Sequence, residues 1–317
     1  MRILITGAAG FVGKYCIEHF KNVLKWEVFA TKLENETISE IADVKIFDMN
    51  LLNQNSIANA LIGSKPDYIL HLAAQSSVGV SWKNPQITAD INIKGTVNLL
   101  DSVRKLLINP KIILVGSSEE YGYLPEGVSV VSEKTPLNPG NFYAISKTAQ
   151  NMTGALYARA YGMNICMTRA FNHIGAGQSE IFVASDFAKQ VAMIECGLQK
   201  NVIKVGNIEA KRDFSDVRDV VTAYEKIFLK GKTGETYNIG SGKATSIKSL
   251  LETLISFSDK DIKISVDPKK LRPLDVPKVR ADISKIQQHT DWTPEHNLED
   301  TLLDVLNYWR NTVKKGV

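Results

Sequence analysis

The sequence predicts an α/β protein built on a doubly wound parallel sheet, with a smaller, discontinuous C-terminal α/β unit. Three observations predict it. Short apolar runs alternate with helical patterns from Arg2 to Asn172. A glycine-rich loop joins the first apolar run to the first helix. Beyond Asn172 the alternation breaks down, Gly and Pro scatter, and helices dominate. Strands that alternate with helices form right-handed βαβ units, which bury a parallel sheet beneath helices on both faces.

The elements follow in order. Arg2–Thr6 (RILIT) is short and apolar and opens the sheet. Tyr15, Cys16, Phe20 and Val23 recur at helical spacing, which gives a helix over Gly13–Val23. Glu27–Thr31 and Val44–Phe47 are the second and third strands. Ile57–Leu61 opens the next helix, Tyr68–Leu72 is the fourth strand, and Ile91–Leu107 is a long amphipathic helix. Lys111–Val115, a helix over Asn141–Tyr161 and a strand over Asn164–Thr168 complete the pattern. Later helices are expected at Ser185–Leu198, Ile247–Ser256 and Leu298–Val313, with short strands at Val202–Val205 and Tyr237–Ile239. The chain is expected to return to the first unit around Asp213–Leu229. The division is then 1–172, rejoined by about 213–240, against 173–212 with 241–317, and a cleft lies between the two.

Composition narrows the function classes. A chain of 317 residues with 44% hydrophobic and 23% charged residues is an ordinary globular protein, not a disordered one. Lys+Arg exceed Asp+Glu by 38 − 34 = 4, but the basic residues are scattered, which describes a solvated surface rather than a nucleic-acid face. Cys16, Cys166 and Cys196 form no CxxC pair and no His-flanked cluster. That argues against a disulfide framework and a metal site, and fits a reducing, cytoplasmic compartment. The N-terminal residues run straight into a strand rather than a signal peptide, and no apolar run approaches the ~18 residues of a membrane span.

The loop Gly7-Ala8-Ala9-Gly10-Phe11-Val12-Gly13 has the spacing GxxGxxG between a strand and a helix. Glycines allow the tight turn and a close approach of backbone to pyrophosphate, while the helix N-terminus offers amide donors and positive dipole. Gly7, Gly10, Phe11, Val12 and Gly13 are therefore expected to hold a nicotinamide dinucleotide on a Rossmann-type sheet. A carboxylate at the end of the second strand binds the ribose hydroxyls, whereas a cation accepts a 2′-phosphate. Lys32 stands there, so NADP(H) is preferred, with NAD(H) possible. The alternative is that Lys32 faces solvent and Glu34 takes the ribose. Asp48, after the third strand, is a candidate for the adenine amino group.

Tyr143-Ala144-Ile145-Ser146-Lys147 is a YxxxK pattern, and residues four apart share one helix face. A phenol of pKa ~10 is a poor acid or base at neutral pH, and a nearby cation favours its phenolate. Gly116-Ser117-Ser118-Glu119-Glu120-Tyr121-Gly122 follows the fifth strand, at the carboxyl edge where ligands bind in such sheets. A Ser117 hydroxyl there is placed to share a substrate oxygen with Tyr143. Glycine loop, strand-end serine and YxxxK in this order point to hydride transfer with a nicotinamide cofactor.

With these motifs the chain resembles the extended short-chain dehydrogenase/reductase family, in its sugar-nucleotide-modifying branch. The resemblance covers nearly the whole chain, through GAAGFVG, HLAAQSSV, NIKGT, GSSEEYG, YAISK, RAFNHIGAGQ, RDFSDVRD and LRPLDVP. GSSEEYG and the last four look most like the reductases of GDP-4-keto-6-deoxymannose. The resemblance implies Ser117, Tyr143 and Lys147 as catalytic residues, with His71, Leu72, Ala73, Ala74 and Asn92 along the cofactor. It also implies that Asn172 contributes to the substrate phosphates and that Lys189 approaches the base. Guanine as that base, and a homodimer formed through the Ile91–Leu107 and Asn141–Tyr161 helices, rest on the resemblance as well.

A GDP-sugar carries two phosphate charges, and Arg can grip phosphate through two parallel hydrogen bonds. Arg212 and Arg272 are the candidates, with Asp275 for ribose or guanine; the alternative for Arg212 is a surface ion pair with Asp213. Gln75, Ser76, Ser77 and Ser118 are placed near the hexose, and Trp82 is expected in packing. His71 and His173 are expected to be hydrogen-bonded structural residues. Glu119 occupies the position where family dehydratases carry their acid/base carboxyl. Reduction of a 4-keto sugar is the first reading. 4,6-Dehydration, in which Glu119 is catalytic, and 4-oxidation or epimerisation are the alternatives, and a non-catalytic nucleotide sensor is the reading outside enzymes. In the reductase, Glu119 and Glu120 are structural or orient sugar hydroxyls.

Overall fold

The structure is a computed structural model that describes residues 1–38, 43–270 and 278–315. In chain order its elements are β1 (Arg2–Thr6), α1 (Phe11–Glu18), β2 (Glu27–Lys32), β3 (Lys45–Asp48), α2 (Gln54–Ser64), β4 (Tyr68–His71), α3 (Val78–Lys83), α4 (Pro85–Ala89), α5 (Gly95–Lys105), β5 (Lys111–Ser117), β6 (Val130–Val131), α6 (Phe142–Tyr161), β7 (Ile165–Ala170), β8 (Asn172–Ile174), α7 (Val183–Glu195), β9 (Val202–Val205), β10 (Lys211–Asp216), α8 (Val217–Lys230), β11 (Thr236–Ile239), β12 (Ala244–Ser246), α9 (Ile247–Ser256), β13 (Lys263–Val266), β14 (Arg280–Ala281), α10 (Ser284–Thr290) and α11 (Leu298–Lys315).

Seven strands make one parallel sheet in the order β3-β2-β1-β4-β5-β7-β11. The order reverses between β1 and β4, and that crevice at the carboxyl ends is where ligands bind in such sheets. One face is covered by a core that holds Cys16 and Ile17 of α1 and Phe20 just beyond it with Val220, Tyr224 and Phe228 of α8. The other face packs on Ile57 and Leu61 of α2 and Leu99, Leu100 and Val103 of α5. β-Branched and aliphatic residues run almost unbroken through β1, β4 and β5 because both faces are dry. The smaller unit has its own core, from α7, α9, α11 and β9. Its short strands form a three-stranded sheet, β12-β10-β8, and the pair β13-β9.

Several elements differ from expectation. The first helix ends at Glu18 and runs on as a π-helical turn over His19–Val23. The Ile91–Leu107 helix starts earlier, at α4, and contains a π-helical turn at Asp90–Lys94. β10 belongs to the three-stranded sheet, while α8 and β11 join the large one. Ile283, Ile286 and Trp292 also pack in the first core, where the Trp292 indole donates to the Asp219 carbonyl at 3.1 Å. Single apolar residues in an aperiodic stretch gave no signal of that docking. Trp82 was expected in packing and is instead 67% exposed, since the six-residue α3 buries Ser81 on its inner side and turns its neighbour outward.

Candidate active site

The glycines of the first loop meet different steric demands. Gly7 has φ +68°, and a Cβ there would stand 2.7 Å from the Ala73 main chain. At Gly13 a Cβ would stand 2.4 Å from the Ala8 carbonyl oxygen, so only glycine lets α1 lie against the loop. Gly10 is exposed, with its nearest would-be contact the Gly7 oxygen at 3.3 Å. Phe11 and Val12 begin α1, and amides in a first turn have no partner within the helix. The Phe11 ring stacks on His173 at 6.4 Å, and the Tyr15 hydroxyl donates to the Ala176 carbonyl at 2.8 Å. These contacts fasten β8 and the segment after it to α1.

At the end of β2 the Lys32 ammonium lies 2.5 Å from Asp48 Oδ1, and it also reaches the Leu33 carbonyl at 3.2 Å. Both polar residues expected at the adenosine end therefore sit together. Across the crevice, Leu72, Ala73 and Ala74 follow β4, and the Ala73 amide donates to Thr6 Oγ1 at 3.3 Å. His71 is buried between Thr6 Oγ1 at 2.8 Å and Thr96 Oγ1 at 3.3 Å. Burial, aided by Lys147, pulls its pKa down to about 3, so the ring is neutral. Asn92 sits in the π-helical turn, a geometry often found at functional sites. Its amide accepts from the Gln75 amide at 2.8 Å and donates to the Gln75 carbonyl at 3.0 Å and Ser146 Oγ at 2.9 Å. The loop after β4 is thus clamped to α6. The Gln75 side chain binds Ser77 within that loop and Thr88 on α4.

Ser117, Tyr143 and Lys147 come together at the carboxyl end of β5. Asn141 caps α6 by accepting from the Ala144 amide at 2.9 Å, which sets the helix start one residue before Tyr143. The Ser117 side chain lies beside the Tyr143 phenol, and burial pushes that phenol far above its ordinary pKa, with Glu119 and Glu120 adding to the rise. The phenol is therefore protonated, and burial outweighs the effect expected of a neighbouring cation. The Lys147 ammonium is buried and donates to the Val115 carbonyl at 2.8 Å and Gln150 Oε1 at 3.1 Å. Burial draws its pKa down to about 8, against the pull of Glu120. Ser118 begins the short 3-10 turn after β5. Glu119 is exposed, and its carboxylate accepts from Asn141 Nδ2 at 3.0 Å.

On the substrate side, Asn172 begins β8, is exposed, and lies beside Phe214 in β10. Arg212, on β10, donates to the Lys211 carbonyl at 3.0 Å. Its neighbour Asp213 is fully buried and takes the amides of Ser241, Gly242 and Ala281 at 2.7, 3.0 and 2.9 Å, so no surface ion pair forms between the two. Lys189 pairs with Glu180 at 2.9 Å and sits over the Trp309 ring at 5.3 Å. Arg272 and Asp275 lie outside the described residues. Asp213 and the pair Glu120–Arg169 are the polar centres that sequence reasoning missed or underrated. For Glu120 a signal existed, since Ser117-x-x-Glu120 has capping-box spacing.

The family model described as GDP-mannose 4,6 dehydratase matches residues 4–305. A GDP-6-deoxy-D-mannose reductase from Pseudomonas aeruginosa is 30% identical over 99% of both chains. The chain belongs to the GDP-mannose 4,6 dehydratase family, within the extended short-chain dehydrogenases/reductases. GDP-mannose 4,6 dehydratase 1 of Arabidopsis thaliana is 29% identical over 93% of this chain and 86% of its own length. The structure of RMD from Pseudomonas aeruginosa complexed with NADPH superposes with a TM-score of 0.85 at 29% identity, over 98% of this chain and all of that one. Members of the dehydratase family thus include both reductase and dehydratase relatives of this chain. In it, the family's α/β sheet and its strand-end serine and YxxxK helix meet at one edge. Among the described residues no helix is long and apolar enough to cross a membrane.

Proposed function

We infer that the protein reduces the 4-keto group of a GDP-4-keto-6-deoxyhexose, with NADPH preferred over NADH. The observation that carries this reading is the protonated Tyr143 phenol beside Ser117 at the carboxyl end of β5, with the buried Lys147 ammonium one turn along the same helix. A reductase needs a proton donor at the oxygen that becomes a hydroxyl, and the site holds one. Gly7 and Gly13 let the loop close against Ala73 and α1, where a Cβ would meet backbone at 2.7 and 2.4 Å, and this tight turn is what a dinucleotide pyrophosphate requires. Phe11 and Val12 supply amides, Lys32 and Asp48 meet the adenosine end, and Leu72, Ala73, Ala74 and Asn92 line the opposite wall. When bound, the dinucleotide supplies the hydride.

Tyr143 donates its proton to the alkoxide developing at carbon 4. Ser117 orients the carbonyl oxygen through its hydroxyl and shares the charge that builds there. Lys147 holds positive charge behind the phenol and offsets the phenolate that remains. Asn172 and Arg212 face the two phosphates, with Arg272 and Asp275 assigned to the same nucleotide. Lys189 would reach the base on leaving Glu180, and Gln75 and Ser118 border the hexose.

Dehydration is the second reading, because Glu119 stands two residues after Ser117. The tether of its carboxylate to Asn141 favours an orienting role. So does the end-to-end match to the reductase, against 86% of the dehydratase's length. A homodimer is supported by Ile145, Met152 and Leu156, which are 43%, 65% and 51% exposed on one face of α6. Three free cysteines fit a cytoplasmic setting.

A paired assay tests the reading. One tube holds GDP-mannose and NADP⁺; the other holds GDP-4-keto-6-deoxymannose and NADPH. Stoichiometric NADPH loss with a two-hydrogen mass gain in the second tube is expected. A water-loss product in the first tube without net cofactor change would make Glu119 catalytic and the protein a dehydratase.

A further inference from the structure

Behind the Ser117–Tyr143–Lys147 cluster lies a carboxylate that solvent does not reach. Glu120 has no exposed surface. Its Oε1 accepts from the Ser117 amide at 2.9 Å, completing a capping box with the Ser117 side chain. Its Oε2 takes Arg169 Nε at 3.0 Å, and Arg169 is itself buried over the Tyr121 ring. The fold makes specific room for this pair. Arg169 stands directly across from Gly116 in the β5–β7 register, and a Cβ on Gly116 would fall 2.3 Å from Glu120 Oε1. The Val115 carbonyl next in line receives the Lys147 ammonium. Three consecutive residues of β5 thus touch, in turn, Lys147, Glu120 and Glu120 again.

A glutamate used only as a turn cap needs neither burial nor a strand cleared for it, because an exposed Glu caps as well. Burying a carboxylate costs several kcal/mol unless it is paired. Here burial raises its pKa to about 7 while Arg169, the Ser117 amide and Lys147 hold it down, so it is an anion through the alkaline range in which the buried Lys147 loses its proton. Other charged or titratable groups surround the pair. His71 on β4 is neutral, Arg169 on β7 is cationic, and Tyr143 on α6 is protonated. Glu119 is exposed on the same turn, and Glu133 binds the Asn238 amide beyond Arg169. Among these, Glu120 is the anion that raises the proton affinity of Lys147.

We propose that Glu120 is a positioning residue with two tasks, fixing the Ser117 main chain and supplying the counter-charge that keeps the buried Lys147 an ammonium. The inference rests on the reductase reading above, in which Tyr143 donates a proton with Lys147 behind it. Because Glu120 is sealed from solvent, it acts on rate through these neighbours and has no route to the sugar.

The test is Glu120→Gln in the full chain, which keeps size and hydrogen-bond reach and removes the charge. kcat and KM are measured for GDP-4-keto-6-deoxymannose with NADPH from pH 6 to pH 10, with a melting curve at each pH. The wild type is expected to lose activity on an alkaline limb that Lys147→Ala abolishes. In Glu120→Gln that limb moves down by about one pH unit, so kcat falls roughly tenfold more at pH 9 than at pH 6 while the sugar KM holds. Glu120→Asp restores the limb without restoring the full rate at pH 6, because the shorter side chain keeps the charge but loses the reach to Ser117. A limb that stays in place in Glu120→Gln, whatever the overall rate, overturns the inference and leaves the reductase reading standing. Absence of any such limb in the wild type overturns the inference together with the role given to the Lys147 ammonium, whereas absence of turnover itself overturns the reductase reading. If Glu120→Gln does not fold, the Glu120→Gln/Arg169→Met pair removes both charges together. A downward shift is again expected, and an unmoved limb again refutes the proposal.

Discussion

Replacing Gly13 by alanine should separate α1 from the loop that precedes it. A Cβ at this position would stand 2.4 Å from the Ala8 oxygen, 2.6 Å from its Cα and 2.7 Å from its carbonyl carbon. Ordinary contact begins near 3.4 Å, so loop and helix must part by roughly 1 Å. Every colliding atom is backbone, and no rotamer change relieves the clash. Overpacking of this kind costs about 1–3 kcal/mol, offset by up to ~1 kcal/mol of helix propensity gained by alanine. The net loss of about 1–2 kcal/mol corresponds to a melting temperature lower by about 2–5 °C in a chain of this size. The same displacement takes the Phe11 and Val12 amides from the pyrophosphate. A lost charge-assisted hydrogen bond is worth about 1.5–3 kcal/mol, so the NADPH Kd should rise at least about tenfold. Gly10→Ala is the control. Its Cβ would meet only the Gly7 oxygen at 3.3 Å, so stability should change little while NADPH binding weakens. Differential scanning fluorimetry and titration calorimetry read both quantities. A Gly13→Ala protein that melts with the wild type and binds NADPH equally well would refute the steric reasoning.

Three further outcomes follow from the geometry. Burial sets the Lys147 pKa at about 8, and the ammonium is the working form, so kcat/KM for keto-sugar reduction should be flat below that pH and fall as pH rises through it; a profile still flat at pH 10 would contradict the assignment. Gly116→Ala should lower stability by about 2–3 kcal/mol in urea denaturation, since its Cβ would lie 2.3 Å from both Glu120 Oε1 and the Thr168 carbonyl oxygen. Lys32→Asp should shift the ratio of kcat/KM for NADPH over NADH downward by tenfold or more, and an unchanged ratio would remove Lys32 from cofactor choice.

What could be read from the sequence was what the chain expresses locally. The GxxGxxG loop, the strand-end serine and YxxxK each lie within a few consecutive residues, and each motif constrains its own backbone. Strands buried on both faces are unbroken apolar runs, so the sheet was legible almost strand by strand. The missed features depend on residues far apart. Glu120 and Arg169 are 49 positions apart, and Asp213 binds amides at Ser241 and Ala281. Neither periodicity nor a motif announces such a pairing, because a single buried charge looks like any surface charge until its partner is placed. The π-helical turn at Asp90–Lys94 was hidden for another reason, since its apolar spacing reads as ordinary helix.

The return of the chain to the large sheet has a consequence for how the protein is made. β11 pairs with β7, and α8 supplies one wall of the core beneath β1. A ribosome must therefore release about 240 residues before the cofactor-binding sheet can be completed, and Trp292 seals that core later still. The nascent N-terminal half waits with one face of its sheet covered by α1 and lacking α8, so a fragment that stops at Asn172 should aggregate rather than bind cofactor. Chaperone demand, and the harm done by a premature stop anywhere before Ile239, should thus be set by the order of the strands more than by the length of the chain.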